Sequence, residues 1–145
     1  MPLNRRACGF TLLEMLVVIV LIGVAAGLVG YGLQRGLHSA GERKAVAQMV
    51  EALRATRVRA IVTGQPARTR FDLAQRRFAA PGTPVRDWPA DMNVQLHTAA
   101  ELGSSFEFYP DGGASGGHLL LNDGPQRWRI DVSWLTGAVQ LQALR

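Results

Sequence analysis

Residues 10–33 read FTLLEMLVVIVLIGVAAGLVGYGL, 24 positions of which only Glu14 is charged. A helix rises about 1.5 Å per residue, so the stretch reaches roughly 36 Å, enough to cross a bilayer core of about 30 Å. A secretory signal has a shorter apolar core of roughly 7–15 residues, although Val24-Ala25-Ala26 offers a small-residue cleavage site and Arg5-Arg6 a basic flank. The single cysteine, Cys8, precedes the stretch, so no intrachain disulfide can form. Residues 34–145 have the composition of an ordinary globular domain. Charged side chains make up 19% of the 145 residues, against roughly 25% in soluble domains. A freely soluble enzyme does not fit this pattern.

Glu14 is the exception inside the span. A carboxylate costs about 2.5–3.5 kcal/mol near mid-bilayer and less at the headgroups. No cation lies within the segment, so Glu14 either sits at headgroup level or meets a positive partner from outside. Gly23 and Gly27 form a GxxxG spacing, and Gly32 with Gly36 a second. Small residues let helices approach closely in lipid, each glycine also weakens a helix by about 1 kcal/mol relative to alanine, and glycine is in any case common in membrane helices.

After the span, HSAGERKAVAQMVEALRATRVRAIVTGQP (38–66) places Val46, Met49, Val50, Leu53, Ala60 and Ile61 at helical spacing and ends at Thr63-Gly64 before Pro66. One helix over 10–62 is expected, apolar all round in its first half and amphipathic in its second. Ser39 can also cap a new start, leaving a break near Ser39–Gly41 open. Arg57 falls within the apolar stripe; a contact with a partner is one reading, and a snorkelling arginine or one paired with a carboxylate of the following domain is the favoured one. Residues 1–86 carry 13 basic and 4 acidic side chains, and 87–145 carry 3 and 7. Arg54, Arg57, Arg59, Arg68, Arg70, Arg76 and Arg77 could form a basic patch. With only Phe71 and Phe78 interleaved, a stacking-type nucleic-acid surface is weakly supported.

The remainder alternates as β-structure: 68–73 with 76–80 as a hairpin, then 94–98, 105–109, 118–121, 127–134 and 138–142. Turn residues separate these runs at Pro110-Asp111-Gly112-Gly113, Asn122-Asp123-Gly124 and Thr136-Gly137. Phe106, Phe108, Trp128, Ile130, Val132 and Trp134 are expected on one buried face, and GGASGG (112–117) as a flexible loop. The reading is α+β, an N-terminal helix packed on an antiparallel β head. His38, His97 and His118 form no HxxxH or HExxH arrangement. Asp111 lacks the DxDxD spacing of a calcium loop. No catalytic, metal or cofactor site is expected.

Gly9-Phe10-Thr11-Leu12-Leu13-Glu14-Met15-Leu16-Val17-Val18 resembles the processing site of type IV pilins and type II secretion pseudopilins. The resemblance implies a leader of residues 1–9, cut by a prepilin peptidase between Gly9 and Phe10, and methylation of the new N-terminal Phe10. Glu14 then becomes the fifth mature residue, and its partner the N-terminal ammonium of a neighbouring subunit. Many members have a proline where this chain has Tyr31. Arg5 and Arg6 before the span face Arg35, Arg43 and Lys44 after it, so the cytoplasmic N-terminus follows from the resemblance and not from charge.

SSFEFYPDGGASGGHLLLNDGPQRWRIDVSWLTGAVQL (104–141) is similar to the C-terminal region of the GspH/FimT family, with its Phe-x-Pro-Asp-Gly turn and Trp-Leu-Thr-Gly ending. That ending is closer to the type II secretion members than to the pilus members. The implied organisation is a leader (1–9), a transmembrane helix half (10–33), an amphipathic half (34–64) and a periplasmic β-rich head (65–145). The implied role is a minor pseudopilin of the type II secretion system, held in the inner membrane. Its partners would be other pseudopilins and the prepilin peptidase, with no small-molecule substrate, no cofactor and no nucleic acid. The alternative is a minor type IV pilin that binds DNA.

Overall fold

The computed structural model describes residues 11–144, with the side chains of 31–39 excepted. Helix α1 (Leu12–Thr63) runs 52 residues, with Ser39–Gly41 helical, so the break left open there is absent. Thr11 caps its start: the Glu14 backbone N–H donates to Thr11 Oγ1 at 3.2 Å, and the Met15 N–H donates to the Thr11 carbonyl at 3.2 Å. A Thr-x-x-Glu sequence at a helix entrance is the capping-box pattern. The described residues divide into two units, one up to Ser39 and one from Ala40 onward.

The second unit holds the rest of α1 and eight antiparallel strands in two sheets. These are β1 (Ala67–Asp72), β2 (Arg77–Ala79), β3 (Arg86–Asp87), β4 (Asn93–His97), β5 (Ser105–Phe108), β6 (Gly117–Asp123), β7 (Gln126–Val132) and β8 (Val139–Leu144). One sheet has the order β3-β2-β1-β5 and the other β4-β6-β7-β8. The expected 68–73/76–80 hairpin is β1–β2, with Phe71 opposite Phe78. Two-residue β3 was not expected, because two residues are too few to show alternation.

Val46, Met49, Val50 and Leu53 of α1 are buried with Phe71, Phe78, Trp88, Phe106, Leu119, Leu121 and Ile130 in one cluster. Phe71 is the centre of its aromatic part. It stacks on Phe78 at 5.8 Å between centroids and meets Phe106 edge-on at 6.1 Å. Ile61 departs from the expected stripe and is 44% exposed. Thr56 is buried on that stripe instead. Its hydroxyl donates to the Ala52 carbonyl at 2.8 Å and lies 2.7 Å from the hydroxyl of Thr69, fully buried on β1. Since the Thr56 proton goes to Ala52, Thr69 is the donor of the pair.

Trp134 corrects the sequence reading. It is 70% exposed, although Phe106, Phe108, Trp128, Ile130 and Val132 are buried as expected. Strand β7 ends at Val132, and a turn closes immediately after it: the Ser133 N–H donates to the Ala138 carbonyl at 3.0 Å and the Gly137 N–H to the Ser133 carbonyl at 2.8 Å. The strand stops two residues short of Trp134, so the period-2 pattern does not carry it into the core.

Arg57 also differs from expectation, because among the described residues no carboxylate receives it. Its Nε donates to the carbonyls of Gly112 and Thr136, each at 3.1 Å, so one guanidinium joins two turns to the helix. Arg54 adds a bond to the Val139 carbonyl at 3.1 Å. The closeness has a steric condition at Gly137 (φ 61°), where a Cβ would collide with the Gly112 carbonyl and come 2.8 Å from Arg57 Nε. The 112–117 run is not a flexible loop. Gly112, Gly113, Ala114 and Gly116 are buried, and Ala114 bridges to Phe108.

On the second sheet, His97 of edge strand β4 faces His118 of β6, their rings stacked 4.5 Å apart. Burial, then the Arg129 guanidinium and His97, hold the His118 imidazole below its ordinary value, against the opposing pull of Asp131. A depressed imidazole means that the folded state favours the neutral ring. Its contribution is therefore complete above the unfolded value of about 6.5 and is lost as pH falls through the lower folded value.

Two measurements check these packing features. Thr56→Val leaves the Thr69 hydroxyl buried without its acceptor and should cost about 1–3 kcal/mol in denaturant unfolding of the detergent-solubilised chain. The Thr56→Val/Thr69→Val double variant should regain most of that loss, and a double variant no better than the single would refute the coupling. Separately, the melting temperature should fall as pH drops from about 7.5 to about 5, and His118→Gln should flatten that slope. An unchanged slope in the variant would remove His118 as its cause.

Candidate assembly site

From Leu12 to Val29 every large apolar side chain is exposed: leucines, valines, isoleucines and Met15 all round the helix. Residues Leu12–Gly30 are long and apolar enough to cross a membrane, and none of that window is buried within the chain. Covering each Val, Leu or Ile is worth on the order of 1.5–3 kcal/mol. A helix apolar on all sides needs lipid or other helices around it.

Glu14 stands in the first turn of this helix. A carboxylate there is favoured by the helix dipole and by its place in the capping pattern with Thr11. Among the described residues its side chain is exposed and has no ion-pair partner. Gly23 and Gly27 lie one turn apart, and a Cβ at either would meet nothing within 4 Å, so that face is open to a neighbouring helix. Gly9 and Phe10 lie outside the described residues. Thr11 was not singled out in the sequence, although Thr11-Leu12-Leu13-Glu14 carries the signal in its spacing.

Among the described residues no three of His, Cys, Asp and Glu converge on a point that could hold a metal ion. His97 and His118 are brought together by register alone. The basic patch is dispersed by its own bonds: Arg54 and Arg57 hold backbone carbonyls, Arg76 holds the Ala90 carbonyl at 3.1 Å, and Arg68 and Arg77 pair with Glu107 and Asp87.

Residues 4–30 match the family model for the prokaryotic N-terminal methylation motif, and residues 45–137 match that for type II transport protein GspH. The chain is 39% identical over 147 residues to the type II secretion system protein H of Xanthomonas campestris pv. campestris, covering 98% of this chain and 87% of that one. It is 48% identical over 47 residues to the type II secretion system core protein G of Aeromonas hydrophila, covering 32% and 33% of the two. The minor pseudopilin EpsH from the type 2 secretion system of Vibrio cholerae superposes with a TM-score of 0.58 over 71% of this chain and 97% of its own. At 14% identity that match speaks for the fold alone. A methylation motif on the exposed apolar helix, followed by a head of matching sequence and fold, leads to one assignment: the chain belongs to the GspH family of type II transport proteins.

Proposed function

We propose that the chain is a minor pseudopilin of a type II secretion system, a structural and not a catalytic subunit of a filament that helps drive folded proteins across the outer membrane. The observation that carries this reading is Glu14: a carboxylate with no ion-pair partner among the described residues, in the first turn of a span whose apolar side chains are all exposed. Cleavage between Gly9 and Phe10 places a cationic N-terminus at the helix entrance. In the assembled filament the methylated amine of one subunit meets Glu14 of the next, where low dielectric makes the attraction strong and an unpaired charge costly. Gly23 and Gly27 let neighbouring helices pack closely. The span lies in the inner membrane before assembly, with the head in the periplasm. Prepilin peptidase and the other pseudopilins are the partners.

The DNA-binding pilus alternative is less well supported. Five of the seven arginines proposed for its basic patch are engaged inside the head, by the bonds described above.

The membrane-extracted wild-type chain should begin at methylated Phe10 by intact mass. A chain retaining Met1, or starting beyond Gly23, would overturn the processing. Glu14→Leu should still insert and be cleaved, yet lose crosslinking to the other pseudopilins of its system. Removing one partner of a buried pair costs about 3–5 kcal/mol, so undiminished crosslinking of the variant would remove the role given to Glu14.

A further inference from the structure

The second unit engages most of its guanidiniums internally, with carboxylates or main-chain carbonyls. Besides the five arginines above, Arg86 pairs with Glu51 at 3.0 Å and Arg129 with Asp131 at 2.8 Å. Arg59 and Arg70 are different. Neither guanidinium has a hydrogen-bond or ion-pair partner among the described residues, and both line the same open cleft of about 650 Å³.

The cleft forms where the chain leaves α1 and enters β1. Its walls include Pro66 and Pro81, and its small surfaces are Ala67, Ala79 and Ala80. Small side chains and rigid prolines leave this volume unfilled. Arg59 comes from the last turns of α1 and reaches toward the far loop, where a Cβ on Gly82 would lie 2.7 Å from its Nη1. Arg70 stands on the exposed face of β1 with Arg68, opposite Ala79 of β2. Arg68 is spoken for, at 2.8 Å from Glu107. The lining thus holds three arginines and one glutamate, a surplus of two positive charges carried by the two unpaired forks.

We propose that this cleft binds the carboxylates of an acidic polypeptide segment from another protein subunit. A guanidinium is permanently charged and presents paired donors whose spacing matches a carboxylate's two oxygens. Two such forks in one cleft can each take a carboxylate of the same segment. Charge complementarity favours a protein occupant: in this chain itself the basic excess of residues 1–86 is met by an acidic excess in 87–145, and subunits of like polarity attract head to tail. Single-stranded nucleic acid would need aromatic platforms beside the cations. The phenylalanines adjoining the lining residues in sequence, Phe71, Phe78, Phe106 and Phe108, are 4%, 1%, 0% and 0% exposed and committed to the core. The lining contains neither Glu14 nor any other residue of Leu12–Gly30, and the proposal goes beyond the assembly reading. Its failure in the following test leaves that reading intact.

The test uses the full chain in zwitterionic detergent with fluorescently labelled hexaglutamate as the probe, read by anisotropy. Binding should saturate and weaken with added salt. Arg59→Gln/Arg70→Gln should weaken it about tenfold or more, as expected for losing two charge-assisted forks. Arg43→Gln/Arg127→Gln changes the net charge equally at exposed positions outside the cleft and should leave affinity within about twofold. Equal melting temperatures would confirm that both double variants are folded. The proposal is overturned if hexaglutamate does not bind, if both double variants weaken it equally, or if labelled hexathymidylate binds as tightly through Arg59 and Arg70.

Discussion

Helix α1 closes its backbone hydrogen bonds within itself, and that freedom lets one element serve two surroundings. Between Leu12 and Gly30 it is apolar on every side except at Glu14, and none of that window is buried. From Ala45 onward the same helical repeat collects its apolar residues into a stripe that completes the core. A strand could not do this, because its main-chain groups need a partner wherever it goes. The demand on each half is then met by side-chain choice alone. Glu14 is the one charged position in the span, and it falls where the helix still has unsatisfied N–H groups to favour an acid.

How far the sequence could be read depended on the range of the interaction. Local periodicity located the helix and seven of the eight strands, because each of those elements repeats its pattern over several residues. Trp134 failed because periodicity does not register a turn that begins at Ser133. Arg57 failed because its acceptors, Gly112 and Thr136, are main-chain carbonyls 55 and 79 residues away. No side-chain pattern points to them. His97 and His118 are neighbours only through the β4–β6 register. At the candidate assembly site Glu14 stood out because a lone acid in an apolar run is costly, whereas the capping role of Thr11 was hidden behind that louder signal. Gly9 and Phe10 rest on the motif alone.

The arginines show that a run of cations in the sequence can be spent on holding the fold. A count of seven in one stretch invites a nucleic-acid reading, yet a guanidinium is equally suited to bracing turns. In this head the fork of Arg57 fixes the spacing of the 112 and 136 turns, Arg54 ties β8 to the helix, and Arg76 secures the segment after β3. These bonds replace apolar packing where loops cross the end of the sheets. Positive charge there is structural material.

The packed glycine run bears on how the head can be labelled. GGASGG reads as the natural place to insert an epitope or a reporter, yet a Cβ at Gly117 would collide with the His97 carbonyl, and Gly113 lies against the Trp134 carbonyl. An insertion there would pry β6 from β4 and loosen the Arg57 brace in one step. The β1–β2 connection is the better choice. Residues 73–76 are exposed, and the turn is anchored at its base by the Gln75 N–H donating to Asp72 Oδ1 at 2.9 Å. Added residues at that tip would project from the head and leave both sheets intact.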